Sequence, residues 1–259
     1  MSWHRIRMVV LHSWYHLHHS METFVDLFYT SVLQTLVFGL IALYFAQRGS
    51  MQGAVIVMGL IFWQVVNAAQ YSVSIGMMWE VWSRSFSTLF ISPLTMTEFF
   101  VGQMIFSLFK SMLSAVMVAV VVYWMYGFSV LELGWWLPIY FVELMIFGWA
   151  VGLFVNGLIM RFGIDIQSFA WGVLGVFQPI SAVFFPVTVL PKAWQFLAWR
   201  VPLTYFFEAA RGQLQGVYYP EYLVYGSLLN IVYLVLGYVF LRSMHARGKR
   251  TGAFARMEG

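Results

Sequence analysis

Cysteine is absent from the chain, which excludes disulfides, thiol nucleophiles and thiolate metal sites. Charge is scarce as well. Only 9% of the 259 residues are Asp, Glu, Lys or Arg, where a water-soluble domain carries about a quarter. So few ionic groups cannot cover a folded chain with polar surface, and its solvent must be lipid. Enzyme signatures are also missing. There is no G-x-x-x-x-G-K-[ST] to cradle ATP phosphates, no H-E-x-x-H and no G-x-S-x-G. No catalytic residue and no bound cofactor is therefore expected of this polypeptide. The net charge of +4 gives no sign of a nucleic-acid partner, because in a membrane protein the placement of Lys and Arg matters more than their sum.

What the chain has is apolar length. It is 61% hydrophobic and 20% aromatic, with a mean hydropathy of +0.79. A spanning helix needs about 20 mostly apolar residues. Six stretches qualify: roughly 27–46, 53–77, 99–126, 137–160, 166–185 and 222–241. The fold class is all-α integral membrane, with no soluble domain. The start lacks the apolar core and small-residue cleavage site of a secretory signal, so the first span is expected to serve as an uncleaved targeting signal. Arg5, Arg7, Arg84, Arg161, Arg242, Arg247, Lys249, Arg250 and Arg256 fall in one set of loops and tails, and Arg48, Lys192, Arg200 and Arg211 in the other. Nine against four places both termini in the cytoplasm.

Two amphipathic segments accompany the spans, one before the first and one between the second and third. In residues 1–23, Trp3, Ile6, Val10, Trp14, Leu17 and Met21 recur at helical spacing, the pattern of a helix lying in the membrane interface. His12 and His16 have the i,i+4 spacing of metal ligands, but a solvated polar face is the usual outcome and no metal is expected. Residues 78–91 repeat the pattern with Trp79, Trp82, Phe86 and Leu89, and Glu80 can pair with Arg84 at i,i+4. Thr95 and Glu98 have the spacing of a capping box that starts the third span. Arg161 and Asp165 are expected to form a structural ion pair.

Polar residues inside the spans fall into stripes. Gln64, Asn67, Tyr71 and Ser74 share one helical face, and Gln103, Ser107, Ser111 and Ser114 another. Such groups must face protein or water, either as interhelical hydrogen bonds or as a lined path. Lys110 and Glu143 are charges within spans, and intramembrane charges seek partners. The two are expected to approach each other, unless each snorkels to its own interface.

The stretch FFPVTVLPKAWQFLAWRVPLTYFFEAARG, residues 184–212, is too apolar for a surface loop. With Pro186, Pro191 and Pro202 it is too broken for one span. It is expected to form short helices near 192–200 and 203–212, re-entrant or at the outer surface, with Arg200, Glu208 and Arg211 in the headgroup layer.

This stretch resembles the carboxy-terminal signature of ABC-2 type transporter permeases in its F-P and L-P pairs, its P-L-T-Y and its terminal A-R-G. The segment EVWSRSFSTLFISPLTMTEFFVGQ is similar to the family's cytoplasmic connector, with Trp and Phe where the family carries a basic, Gly-containing helix. The likeness covers nearly the whole chain and implies a single transmembrane domain over 1–259. It also implies that two copies pair in the plasma (inner) membrane with separate cytoplasmic ATPase subunits, which bind ATP and Mg. Trp79, Trp82, Arg84, Phe86 and Leu89 would then couple to the ATPase. Gln64, Asn67, Tyr71, Gln103, Lys110 and Glu143 would line a path. Pro186, Pro191, Pro202, Tyr205, Glu208 and Arg211 would form an outer gate. The implied cargo is a lipid-linked glycan or polysaccharide, or a hydrophobic small molecule such as a drug. An intramembrane lipid-modifying enzyme and a non-transporting scaffold are the alternatives.

Overall fold

The computed structural model describes residues 1–19, 25, 31–46, 52–85 and 92–251, and among these no strand occurs. The helices are α1 (Trp3–His19), α2 (Ser31–Ala46), α3 (Gln52–Trp82), α4 (Met96–Tyr126), α5 (Leu137–Phe162), α6 (Gln167–Ile180), α7 (Lys192–Ala198), α8 (Pro202–Leu214) and α9 (Pro220–Thr251). The protein is an all-α membrane protein. Four described helices are long and apolar enough to cross a bilayer: α3, α4, the run 130–162 that ends in α5, and α9. The apolar α2 is shorter, as is α6. The stretch expected to span at 166–185 yields only the 14 residues of α6, about 21 Å against the roughly 30 Å hydrocarbon core. Pro179 lies in its last turn, and Ala182 takes a left-handed φ of 50° just beyond.

Local sequence explains the helix ends. The Thr95 hydroxyl accepts from the Glu98 N–H while the Glu98 carboxylate accepts from the Thr95 N–H, so the expected capping box starts α4. Gly127 ends it in the left-handed conformation, φ 67°. Trp79 and Trp82 lie in the last turns of α3 itself, not in a separate helix. Arg84 turns left-handed at φ 56°, which swings its side chain out of helical register. Instead of pairing with Arg84, Glu80 accepts from Ser85 Oγ at 2.5 Å and faces His12 Nδ1 at 3.6 Å. Phe86 and Leu89 lie outside the described residues. The pair expected between Arg161 and Asp165 is not among the ion pairs of the described residues: Gly163 breaks the helix at φ 70°, and Arg161 stacks on Phe162.

The bundle is built around α5. Gly148 and Gly152 meet Ala69 and Val73 of α3, Gly157 meets Phe240, and Gly237 of α9 meets the Ala150 carbonyl. Small residues at these crossings let the backbones approach closely, as packing in lipid requires. Asn156 Nδ2 donates to the Val73 carbonyl at 3.0 Å. Glu143 Oε2 and its carbonyl accept from Asn230 Nδ2, both at 2.8 Å, and its Oε1 accepts from Ser227 Oγ at 2.6 Å. Val66, Phe62, Phe147 and Val155 are buried between the helices. Val224, Leu228, Ile231, Val235 and Val239 of α9 are exposed at helical spacing, a lipid-facing stripe.

Helix α1 lies lengthwise in the groove between the end of α3 and the start of α4. Its Ser2 N–H donates to Glu98 at 2.6 Å, and Trp14 meets the Phe109 ring with centroids 4.9 Å apart. Its buried face is Ile6, Val9 and Ser13. That is one step round the helix from the expected apolar stripe, leaving Trp3 and Trp14 exposed; Met21 lies outside the described residues.

Candidate functional site: a polar cavity in the bundle

The polar face of α3 opens onto a cavity of about 230 Å³. Gln64, Asn67, Tyr71 and Lys110 line it together with Gln34 and Trp171. The Lys110 ammonium lies 5.1 Å from the Tyr71 ring centroid, a cation–π contact in a setting with little water to compete. Gln64 Nε2 donates to Gln34 Oε1 at 3.1 Å, which ties α2 to α3 at the rim. The Tyr126 hydroxyl reaches the carbonyls of Thr35 and Leu36 and fixes α2 to α4 higher up. An amide-rich cavity among apolar helices can bind hydroxyls and anionic groups that lipid cannot hold.

The two polar stripes thus divide. Ser114 faces the cavity, whereas Ser107 accepts from Trp149 Nε1 of α5, an interhelical bond. Gln103 is buried beside Gly76, one step toward the end of the bundle that carries α1. Glu143 does not meet Lys110. Its carboxylate is turned to α9 and held by Ser227 and Asn230, so it stands outside the cavity. On the other flank of the α3–α4 pair, toward α5, Phe62, Val65, Ala119 and Phe141 line an apolar groove of about 750 Å³.

The proline-punctuated segment forms the two short helices α7 and α8. Pro191 caps α7 and Pro202 opens α8. Pro186 precedes a single 3-10 turn at Val187–Val189. Glu208 holds the turn by accepting from the Val187 N–H at 2.7 Å, and it also accepts from Arg211 Nη1 at 2.6 Å. Arg211 Nη2 donates to the Ala182 carbonyl at 2.8 Å. Arg211 is buried within the protein here. Burial pulls its guanidinium below the ordinary arginine value, and Glu208 pulls it back up. The Tyr205 hydroxyl donates to the Trp199 carbonyl at 3.1 Å and closes the α7–α8 corner.

The family model of the ABC-2 type transporter matches residues 12–214. The chain belongs to the ABC-2 type transporter family. The match takes in the polar cavity and the α7–α8 segment, and leaves α9 outside. No curated protein matches the chain. Members of this family are generally non-enzymatic transmembrane subunits of ABC transporters. Sequence reasoning missed three features of this permease. Gln34 is a lone amide in the apolar run SVLQTLVFGL, and such isolation was a usable signal. The small-residue spacing of Gly148 and Gly152 in GWAVG was another. Nothing in the sequence marked Trp171 as a cavity residue.

Proposed function

We propose that the chain is the permease half of an ATP-binding-cassette exporter. In this reading two copies pair in the plasma membrane with both termini in the cytoplasm. Each copy contributes six membrane passes, with α2 and α6 counted beside the four long helices. Separate ATPase subunits bind ATP and Mg, and Trp79, Trp82 and Arg84 receive their motion. ATP drives transport only by favouring one conformation over another.

The polar cavity carries the proposal. Gln64, Asn67, Tyr71 and Lys110 converge from two helices on one volume within an otherwise apolar bundle, and intramembrane polar groups mark substrate routes. Gln103 extends the route toward the α1 end. The α7–α8 segment, pinned by Glu208 and Arg211, is the outer gate. The cargo is amphiphilic: a lipid-linked glycan, or a hydrophobic small molecule with a polar head. Amides and an ammonium suit the head, and the apolar groove on the other flank of α3 and α4 suits the tail.

The test is co-purification followed by transport. A cytoplasmic ATPase should co-purify, and its activity should change when the permease is present. Lys110→Met should leave the complex assembled and cut export at least tenfold. A complex without a nucleotide-hydrolysing subunit, or a Lys110→Met variant that exports normally, would overturn the reading. Lipid turnover without any ATPase would support an intramembrane enzyme, and neither activity would support a scaffold.

A further inference from the structure

A second, smaller volume lies on the α1 side of Lys110. It holds about 40 Å³; its wall is largely apolar, with Ile75, Trp79 and Phe106, and His12, His16, Ser72, Glu80, Gln103 and Lys110 are among its polar members. That is room for roughly two to three water molecules. Lys110 also lines the larger cavity, so the two volumes meet at one side chain. Polar side chains therefore recur from Glu80, near the end of α3, through Gln103 and Lys110 to Asn67 and Gln64. Helix α1 forms one wall of the lower volume.

Among the described side chains of α1, Ile6, Val9 and Ser13 are the buried ones. Val9 fits against Gly102 of α4, where a larger residue would not fit. The polar ties gather on two carboxylates. Glu98 takes the Ser2 N–H and lies 3.5 Å from Arg5 Nη1, while Glu80 faces His12. Arg5 also donates to the Pro93 carbonyl at 2.5 Å. His16 meets the Trp79 ring at 4.3 Å between centroids.

We propose that α1 is a removable stopper: docked, it closes the mouth through which the polar route reaches Lys110 from the Glu80 end, and its release opens that mouth. This rests on the route proposed above. It adds a role to His12, His16, Ser72 and Glu80 as mouth residues. It also makes Trp79, which touches α1 through His16, the place where motion of a partner would reach the stopper.

Because the chain has no cysteine, a single introduced thiol is the only one on this polypeptide, whose labelling is read on the separated permease band. Ser72→Cys reports on the mouth, since Ser72 is 2% exposed. Ser243→Cys on the exposed end of α9 is the control. The assembled complex in vesicles is treated with a membrane-impermeant maleimide applied to the α1 side. With native α1, Ser72→Cys should label at least tenfold more slowly than Ser243→Cys. Adding Val9→Asp, which cannot dock against Gly102, should raise labelling of Ser72→Cys about tenfold and leave the control unchanged. Arg5→Ala removes polar ties only, and should give a smaller rise even where Val9→Asp does not fold. Fast labelling with native α1, or no rise with either release variant, would overturn the stopper. Labelling reads geometry without transport, so the two proposals fail separately. A rise accompanied by normal export from Lys110→Met would refute the route, and no rise would refute the stopper alone.

Discussion

The knot of Glu208, Arg211 and the 182–187 turn should behave as one energetic unit, and a double-mutant cycle tests that. Arg211 is 3% exposed and makes two bonds, to Glu208 at 2.6 Å and to the Ala182 carbonyl at 2.8 Å. Glu208→Ala strips the buried guanidinium of its counter-charge and also orphans the Val187 N–H. Breaking a buried pair from one side costs about 3–5 kcal/mol. Arg211→Ala leaves the Ala182 carbonyl without its donor. Glu208 still keeps the Val187 N–H, and its side chain has some solvent access, 18%. That loss should be about 1–3 kcal/mol. The double variant contains no stranded charge, only one unpaired N–H and one unpaired C=O. It should therefore be about as destabilised as Glu208→Ala alone, short of the sum by roughly 2 kcal/mol, within the range seen for coupled neighbours. Thermal unfolding of the purified complex reads this directly. At about 2–4 °C per kcal/mol for a chain of this size, Glu208→Ala should lower the midpoint by about 6 °C or more. The double variant should fall no further. Strictly additive losses, or a silent Glu208→Ala, would show that the pair is solvated and that burial does not govern it.

Other perturbations separate packing from coupling. Gly148→Leu places a side chain against Ala69 and the Val66 carbonyl. It should cost about 3 kcal/mol or more as overpacking against backbone, whereas Gly172→Leu meets nothing within 4 Å and should leave the unfolding midpoint unchanged. Thr95→Ala removes one half of the capping box, for a loss of about 1 kcal/mol. Glu98→Ala should lower the midpoint further, because the same carboxylate also holds Ser2. Trp79→Ala deletes contacts with His16 and Trp82; export should fall while ATP hydrolysis by the complex persists, as separate measurements of the two would show.

The parts that local chemistry decides were readable in the residues. The capping box needs only Thr95, Glu98 and the two residues between them. The short helices α7 and α8 follow from prolines that cannot sit inside a helix. Family membership came from the spacing of F-P, L-P, P-L-T-Y and A-R-G. What could not be read depends on a third body. Periodicity places Lys110 and Glu143 on helix faces but does not say which helix each face meets, and Glu143 met Asn230. Charge and position give no sign that Arg211 is buried in the protein, where the Ala182 carbonyl and Glu208 make burial tolerable. In α1, apolar residues stand on most sides, so its pattern admits several contact faces. Close fit against Gly102, not hydrophobicity, selects Val9.

The lengths of α3 and α4 bear on how a signal would travel. Each has 31 residues, about 46 Å, which exceeds the hydrocarbon core by about 16 Å. Glu80 near the end of α3 and Glu98 at the start of α4 are the polar residues suited to that excess. Trp79 precedes Glu80, and Tyr71 lines the cavity eight residues away on the same helix. No proline interrupts α3, so a push at Trp79 is carried along a hydrogen-bonded rod without a hinge. Gln64, farther along the helix, must shift with it unless α5 resists. The crossing of α5 at Gly148 and Gly152 lies level with Ala69 and Val73, beside the cavity. A lever pivoting there would move its two ends in opposite directions. The Trp79 end would swing against α1 while the cavity face of Gln64 swings against Gln34. Docking of the stopper and the width of the cavity would then be coupled by geometry alone.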